Sequence, residues 1–434
     1  MVAKPDSIDV RSLRPEGTPN GHDVIAPSRP RQGDEPSLPP AGDHALPQRF
    51  TSGAHSPARL RTRRRPARNL VIGLLCGLAV IAAIVVTQVT ANLGYDSVAA
   101  RYDDAATTAR GTTTQTEREA ADLRVTTGAA SQILSTETRP IPIDPELESA
   151  LSEAVADAES AATSAEAASA SDVPTMEEKP VWFWELFGAT ELWERRLTQV
   201  EKLDDDLRTA ITDLTSADDR VTQGGLSLVS AAAEAAPGFE EAHRSARNEA
   251  VIALRSAASD AMEATVLDDT AATAYLALQA AAAQVVSTEA EEMAEKSGPL
   301  KTQRLEIEAF ARSLAPGVLL EFDWSPVVNG AGYDGSMGGY TTWWWDDPGR
   351  ATIELSDSVA EQWPAERSRA LVAHEVGHAI SVKCEGMYDS STQDSIEKWA
   401  TAWAISMGFT DDANGVWAYG YPPQNYIDAA AGCR

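Results

Sequence analysis

The run LVIGLLCGLAVIAAIVV, residues 70–86, holds no charged side chain, and the uncharged stretch continues through Thr87 and Gln88 to Gly94 before Asp96 ends it. About twenty apolar residues of helix cross roughly 30 Å of hydrocarbon, so the length suits a span. Arg61, Arg63, Arg64, Arg65 and Arg68 stand immediately before it. Positive charge on that flank keeps it cytoplasmic, so residues 70–91 are predicted as a single transmembrane helix with the C-terminal side extracytoplasmic. A buried core helix of this length would show a polar face, which this run lacks. A cleaved secretory signal is a nearer rival, because Val89-Thr90-Ala91 loosely matches a small-residue cleavage site. The 69 residues that precede the run far exceed a signal's basic region, which favours an uncleaved anchor. Gly73 and Gly77 have the Gly-x-x-x-Gly spacing of packed membrane helices, and also of ordinary glycine usage in such a helix.

Charge divides at the same place. The 434 residues carry a net charge of −29. Residues 1–69 hold 12 Lys/Arg against 7 Asp/Glu, a net of +5, so the remainder carries −34. The acidity argues against a nucleic-acid partner, since phosphate contacts need clustered Lys and Arg. A hydrophobic fraction of 43% allows two or three domains with a sizeable core. Three cysteines without a Cys-x-x-Cys pair exclude a disulfide scaffold and a thiolate zinc or redox motif.

The fold class expected is multi-domain. Residues 1–69, rich in Pro, Ser, Gly and Arg, bury too little to offset chain entropy and are expected to be a disordered basic cytoplasmic arm. Its basic end would be drawn to anionic lipid heads. Residues 95–298, dominated by Ala, Glu, Asp, Thr and Ser, read as an all-α stalk or bundle. Helix breaks are expected at Arg139–Pro145, Ser171–Pro180, Gly224-Gly225, Pro237 and Gly298-Pro299. Trp193, Leu197, Val200, Leu203, Leu207, Ile211 and Leu214 recur at intervals of three and four, suited to an antiparallel helical pairing or a coiled coil. That stripe is also a candidate surface for a helical partner or a homo-oligomer. Val181-Trp182-Phe183-Trp184-Glu185-Leu186-Phe187 interrupts this composition. Three readings stand for it: a plug between helices, a dip into the outer membrane interface, or a partner's docking site.

Residues 299–434 hold eight of the 11 Trp from Ala315 onward, six of the 9 Tyr, and many turn residues, the composition of a compact α+β domain. The pattern predicts a helix over Leu300–Leu314, a strand over Val318–Trp324 and a Gly-rich loop over Asn329–Gly339. A hairpin of Tyr340–Trp345 and Ala351–Leu355 follows, then helices over Ala365–Val382 and Ser391–Met407.

The first of those late helices reads Ala373-His374-Glu375-Val376-Gly377-His378-Ala379, a His-Glu-x-x-His motif. Histidines four apart lie on one helical face, so both imidazoles can reach one ion, and the intervening glutamate can reach a water on it. Two satisfied core histidines with a buried glutamate are the bland alternative, and a buried unpaired carboxylate is costly. Catalytic zinc takes three protein ligands and leaves a fourth position for water. No histidine follows His378, so the third ligand is a carboxylate or Cys384. The extended motif His-Glu-x-x-His-x-x-Gly-x-x-His is missed twice, at Ser381 and Cys384. Glu397 lies 19 residues after His378, on the predicted second helix.

This arrangement resembles the gluzincin metallopeptidases, in which a glutamate on a second helix completes the site about twenty residues on. The resemblance covers roughly residues 300–434, rests on two short motifs, and implies a zincin-like domain. It implies His374, His378 and Glu397 as zinc ligands and Glu375 as general base. The residues agree chemically. Zinc lowers the pKa of its water towards ~7, and Glu375 can take the proton as a peptide carbonyl is attacked. Asp394, one turn before Glu397, is an alternative ligand or a partner that orients a ligating histidine. Gluzincins often steady the oxyanion with a downstream His or Tyr, so the resemblance makes Tyr388, Tyr419, Tyr421 and Tyr426 candidates. In zincins the strand before the motif helix forms the cleft edge, and Thr352–Leu355 occupies that place, implying recognition by strand addition.

Cys384 and Cys433 are the only cysteines beyond the apolar run and are expected to pair outside the cell. The function expected is that of a membrane-anchored, extracytoplasmic zinc metallopeptidase acting on a peptide or protein. The alternative is an envelope scaffold with an inactive zincin-like domain.

Overall fold

Apolar helix-forming residues without an internal proline explain the first element. In the computed structural model, which describes residues 67–328 and 338–434, helix α1 spans Ala67–Leu134. Between Pro66 and Pro140 the chain has no proline to break it. Its first part is the one helix among the described residues long and apolar enough to cross a membrane, and that part is wholly exposed. Beyond the expected span the same helix runs on without a break through the polar sequence to Leu134. The arm expected over residues 1–69 lies outside the described residues but for the helical start, as does nearly all of the Asn329–Gly339 loop.

Four further helices follow: α2 (Pro145–Ser169), α3 (Phe183–Ala242), α4 (Asn248–Met262) and α5 (Asp269–Glu295). Asp144 caps α2 by accepting from Glu146 N, and Asp268 caps α5 by accepting from Thr270 N and Ala271 N. Helix α3 follows α1 in the same direction. Gln88 meets Val181 and Phe183, Tyr102 packs edge-on against Trp193 at 4.7 Å, and Thr112 donates to Asp204 at 2.5 Å. Helix α2 runs the other way, with Leu151 beside Gly224 and Asp157 paired with Arg220 at 2.7 Å. Of the expected stripe, Trp193, Leu197, Val200, Leu207 and Leu214 are buried, and Leu203 and Ile211 half-buried.

Two expected breaks are absent, because α3 runs through Gly224-Gly225 and Pro237. The glycine pair serves contact. A Cβ on Gly225 would lie 2.7 Å from Leu267 Cδ1, and one on Gly224 3.3 Å from Leu151 Cδ1. The plug reading of the aromatic run also fails. Val181, Trp182, Trp184 and Phe187 are all more than half exposed, and only Leu186 is buried.

The C-terminal region begins with α6 (Lys301–Leu314), followed by strands β1 (Leu319–Ser325), β2 (Gly339–Trp343) and β3 (Arg350–Ser356). The sheet order is β1-β3-β2, with β1 parallel and β2 antiparallel to β3. Alternate residues Leu320, Phe322 and Trp324 of β1, and Ala351, Ile353 and Leu355 of β3, point into one core. That core is shared with Ile307 and Ala311 of α6 and with Val372, Val376 and Ile380 of the motif helix. Central β3 is bonded on both sides, so Thr352–Leu355 cannot be the cleft edge. The outer strand near the motif helix is β2, because the hairpin folds β3 back between its neighbours.

Short helix α7 (Asp357–Glu361) leads to α8 (Glu366–Ser381), a 3₁₀ turn at Val382–Met387, and α9 (Gln393–Ser406). A second turn at Asp412–Asn414 precedes α10 (Val416–Tyr419) and α11 (Gln424–Ala430). Polar side chains join the bundle helices to this region. Buried Lys296 contacts Glu292 at 2.8 Å and Glu308 at 3.4 Å, and Trp324 Nε1 donates to Glu308 at 3.1 Å. Asn248 N donates to Glu321 Oε2 at 2.7 Å, and its Nδ2 donates to Ala351 O at 3.0 Å. Residues 73–434 accordingly form one compact unit.

Cys384 and Cys433 are disulfide-bonded, with Cα atoms 6.0 Å apart. The bond ties the tail to the turn after α8 and removes Cys384 from the candidate ligands. Cys433→Ser is expected to cost about 2–4 kcal/mol of stability, read as a lower urea midpoint for the C-terminal region. An unchanged midpoint would show that the link constrains nothing.

Candidate metal centre

The site is made by two crossing helices. Gly377, inside the motif on α8, faces Ala400 on α9. A Cβ there would sit 2.8 Å from the Ala400 carbonyl oxygen, so only glycine permits this approach. The close crossing brings Glu397, one turn before Thr401, against the two histidines. His374 and His378 are 5% and 4% exposed. Their Nε2 atoms lie 3.2 Å apart, and Glu397 Oε2 lies 3.2 Å from the first and 3.0 Å from the second.

Three Lewis-basic atoms thus converge in a nearly equilateral triangle. A point about 1 Å off its plane is roughly 2.0–2.1 Å from all three, the usual zinc–ligand distance. Among the described residues this is the group of His, Cys, Asp and Glu side chains that could hold a metal ion. Burial pulls the Glu397 carboxyl up, but hydrogen bonds and charge from His374 and His378 outweigh it, so its pKa falls well below the ordinary carboxylate range.

Each part of the triangle is held in place. His378 stacks on Trp343 of β2 with centroids 5.3 Å apart, and His374 stacks on Tyr419 of α10 at 5.9 Å. Buried His378 Nδ1 has no hydrogen-bond partner among the described residues, so the Trp343 stack and the Nε2 contact to Glu397 orient its ring. Thr401 Oγ1 donates to the Glu397 carbonyl at 2.8 Å and lies 3.4 Å from His374 Nδ1. Gln393 Nε2 donates to Glu397 Oε1 at 2.8 Å. Gly415, at φ 103°, lies so close to His374 that a Cβ would stand 2.7 Å from the ring.

Glu375 is buried beside this group. The Thr341 hydroxyl of β2 lies 2.7 Å from its Oε2 and 3.0 Å from its backbone oxygen. Burial raises its pKa, the Glu397 charge adds to this, and His374 and Thr341 oppose it, leaving the carboxyl above its ordinary value. A cleft of about 360 Å³ opens over His374 and Glu375, lined also by Gly339, Arg367, Trp417 and Tyr419.

The other candidates separate clearly. Asp394 is 71% exposed and paired with Lys398 at 2.7 Å, away from the triangle. Its shorter side chain leaves the helix three residues before Glu397, about 60° round the axis, and the lysine one turn on neutralises it. Tyr388 stacks on Trp399 at 4.6 Å, Tyr426 OH lies 2.7 Å from Ser395 Oγ, and Tyr421 is 66% exposed. Only Tyr419 borders the cleft. Burial and the Glu397 and Glu375 carboxylates push its pKa up to about 12, so it stays a neutral donor. For the peptidase expected from the sequence, Tyr419→Phe should lower kcat about 10²–10³-fold with metal content unchanged. Equal losses in Tyr388→Phe and Tyr426→Phe would remove that distinction.

Thr341, Trp343, Gln393, Thr401 and Gly415 were not picked out from the sequence. Gln393 and Thr401 had a usable signal, since they stand four residues either side of Glu397 on its own helical face. Thr341 and Trp343 reach the site only through tertiary folding.

No protein-family model matches the chain, and neither the curated proteins nor the solved structures give a match. The likeness to gluzincins therefore rests on His374, Glu375, His378 and Glu397 themselves.

Proposed function

We propose that this chain is a membrane-anchored, outward-facing zinc peptidase. The observation that carries the reading is the buried convergence of His374, His378 and Glu397 with a second carboxylate, Glu375, at the mouth of a cleft. Two imidazole nitrogens and one carboxylate oxygen form a donor set that suits zinc and leaves a fourth position. When bound, zinc supplies Lewis acidity that makes water a nucleophile near neutral pH and polarises a carbonyl.

The chain's own residues supply the rest. Glu375, held by Thr341, accepts the proton of the attacking water and delivers it to the leaving amine. Its raised pKa suits both steps, because a base and acid in turn should titrate nearer the working pH. Tyr419 donates to the oxygen that gains charge as the carbonyl becomes tetrahedral. The outer side of β2 has no strand partner among the described residues, so an extended peptide can pair there beside Glu375. The apolar start of α1 and the arginines before it support a cytoplasmic N-terminus and an outward site.

The test is the zinc content of the full-length protein in detergent, with cleavage of a mixed peptide library followed by mass spectrometry. Stoichiometric zinc with chelator-sensitive cleavage is expected. Zinc held without any cleavage would leave the scaffold reading in its place.

A further inference from the structure

The exposed aromatic run at the start of α3 is fixed to α1 at one level. Gln88 Nε2 donates to Val181 O at 2.9 Å, and Gln88 Oε1 accepts from Phe183 N at 3.0 Å. A little higher, Lys179 pairs with Asp96 at 2.6 Å. Gln88 lies 18 residues beyond Leu70, or about 27 Å along a helix, close to the roughly 30 Å of hydrocarbon. Asp96 lies 28 residues beyond Arg68, or about 42 Å, close to the full thickness with both headgroup layers.

The loop that ends at Trp182 therefore descends along α1 from the level of first outer charge to the level where the apolar run stops. There the chain turns and climbs again as α3. At that lowest point Trp182 and Trp184 stack with centroids 5.0 Å apart. Val181 is 74% and Phe187 51% exposed. Such a cluster facing water would be costly, whereas Trp is favoured at the headgroup boundary. Glu185 is the one charge in 181–190 and sets the depth, since its carboxylate must stay with the headgroups and water.

We propose that Val181, Trp182, Trp184 and Phe187 sit in the outer interface of the same bilayer that α1 crosses, giving the bundle a second, non-spanning contact with the membrane. The occupant of this surface is lipid, because it is continuous with the apolar face of α1. Two contacts fix the tilt of the bundle, which a single helix would leave free to swivel. The inference rests on the membrane reading of residues 70–86.

The full-length chain in phosphatidylcholine/phosphatidylglycerol vesicles tests both separately, with a bimane fluorophore at one cysteine at a time. Native Cys76, mid-way in the apolar run, reports the span. Trp184→Cys and Phe187→Cys, each with Cys76→Ala, report the aromatic cluster, and Met262→Cys reports an exposed bundle position. Lipids carrying a nitroxide high on the acyl chain should quench positions 184 and 187 several-fold more than position 262, with iodide showing the reverse. Cys76 should respond to nitroxides near the chain ends. If 184 and 187 behave like 262 while Cys76 is quenched from within the bilayer, the second contact is overturned and the span stands. If Cys76 itself is quenched only by iodide, both readings fall.

Discussion

On the proposed peptidase reading, Glu375→Gln is expected to abolish turnover while leaving the protein folded and able to bind zinc. Glutamine has nearly the shape of glutamate and can still accept from the Thr341 hydroxyl, which lies 2.7 Å from Oε2 in the native protein. It cannot take a proton at neutral pH. General-base catalysis is worth about 10²–10⁴-fold, so kcat/KM should fall by at least that order. Stability should be unchanged or higher, because a carboxylate only 6% exposed is replaced by a neutral amide. Steady-state cleavage, zinc stoichiometry and a melting curve on the same preparation make the comparison. Cleavage within a few-fold of the native rate would rule out Glu375 as the base.

His378→Ala and Glu397→Ala are expected to strip the metal. Each removes one corner of a triangle whose sides are 3.0–3.2 Å. Four-ligand structural zinc sites in zinc-finger peptides gain roughly 10–16 kcal/mol from the metal, so losing one of three ligands here should cost on the order of two to three powers of ten in affinity. Gln393→Ala, which only frees Glu397 Oε1, should cost about 10–100-fold. Asp394→Ala should change nothing, since that carboxylate is exposed and paired with Lys398. Competition against a chromophoric chelator ranks the four variants. A loss at Asp394 equal to that at Glu397 would contradict the assignment of Glu397.

Much of the helical layout could be read locally. The apolar run, the prolines near 140–145, the heptad stripe in α3 and the two late helices depend on residues near one another in the chain. Reading failed where a residue's role depended on a distant partner. Gly224-Gly225 looked like a break because glycine weakens an isolated helix, yet Leu151 and Leu267 fill the space a Cβ would take. The place of Thr352–Leu355 in the sheet was missed for the same reason. Strand order follows from which neighbours pair, and nothing in a four-residue pattern records that.

The chemistry divides along the same line. Sequence by itself determined His374, Glu375 and His378, because their spacing puts them on one face of one helix whatever surrounds it. It also determined the charge division and the apolar run, which depend on composition alone. Glu397 and the Cys384–Cys433 pairing were already favoured from the sequence. Only the tertiary structure set Glu397 against both histidines, left Asp394 exposed on Lys398, and placed Tyr419, of the four tyrosines, beside the cleft. Those placements depend on the depth to which α9 can approach α8 at Gly377 and on the turn at Gly415 that lays Tyr419 on His374. Convergence from separate elements is a property of packing, which brings together groups that the chain keeps apart.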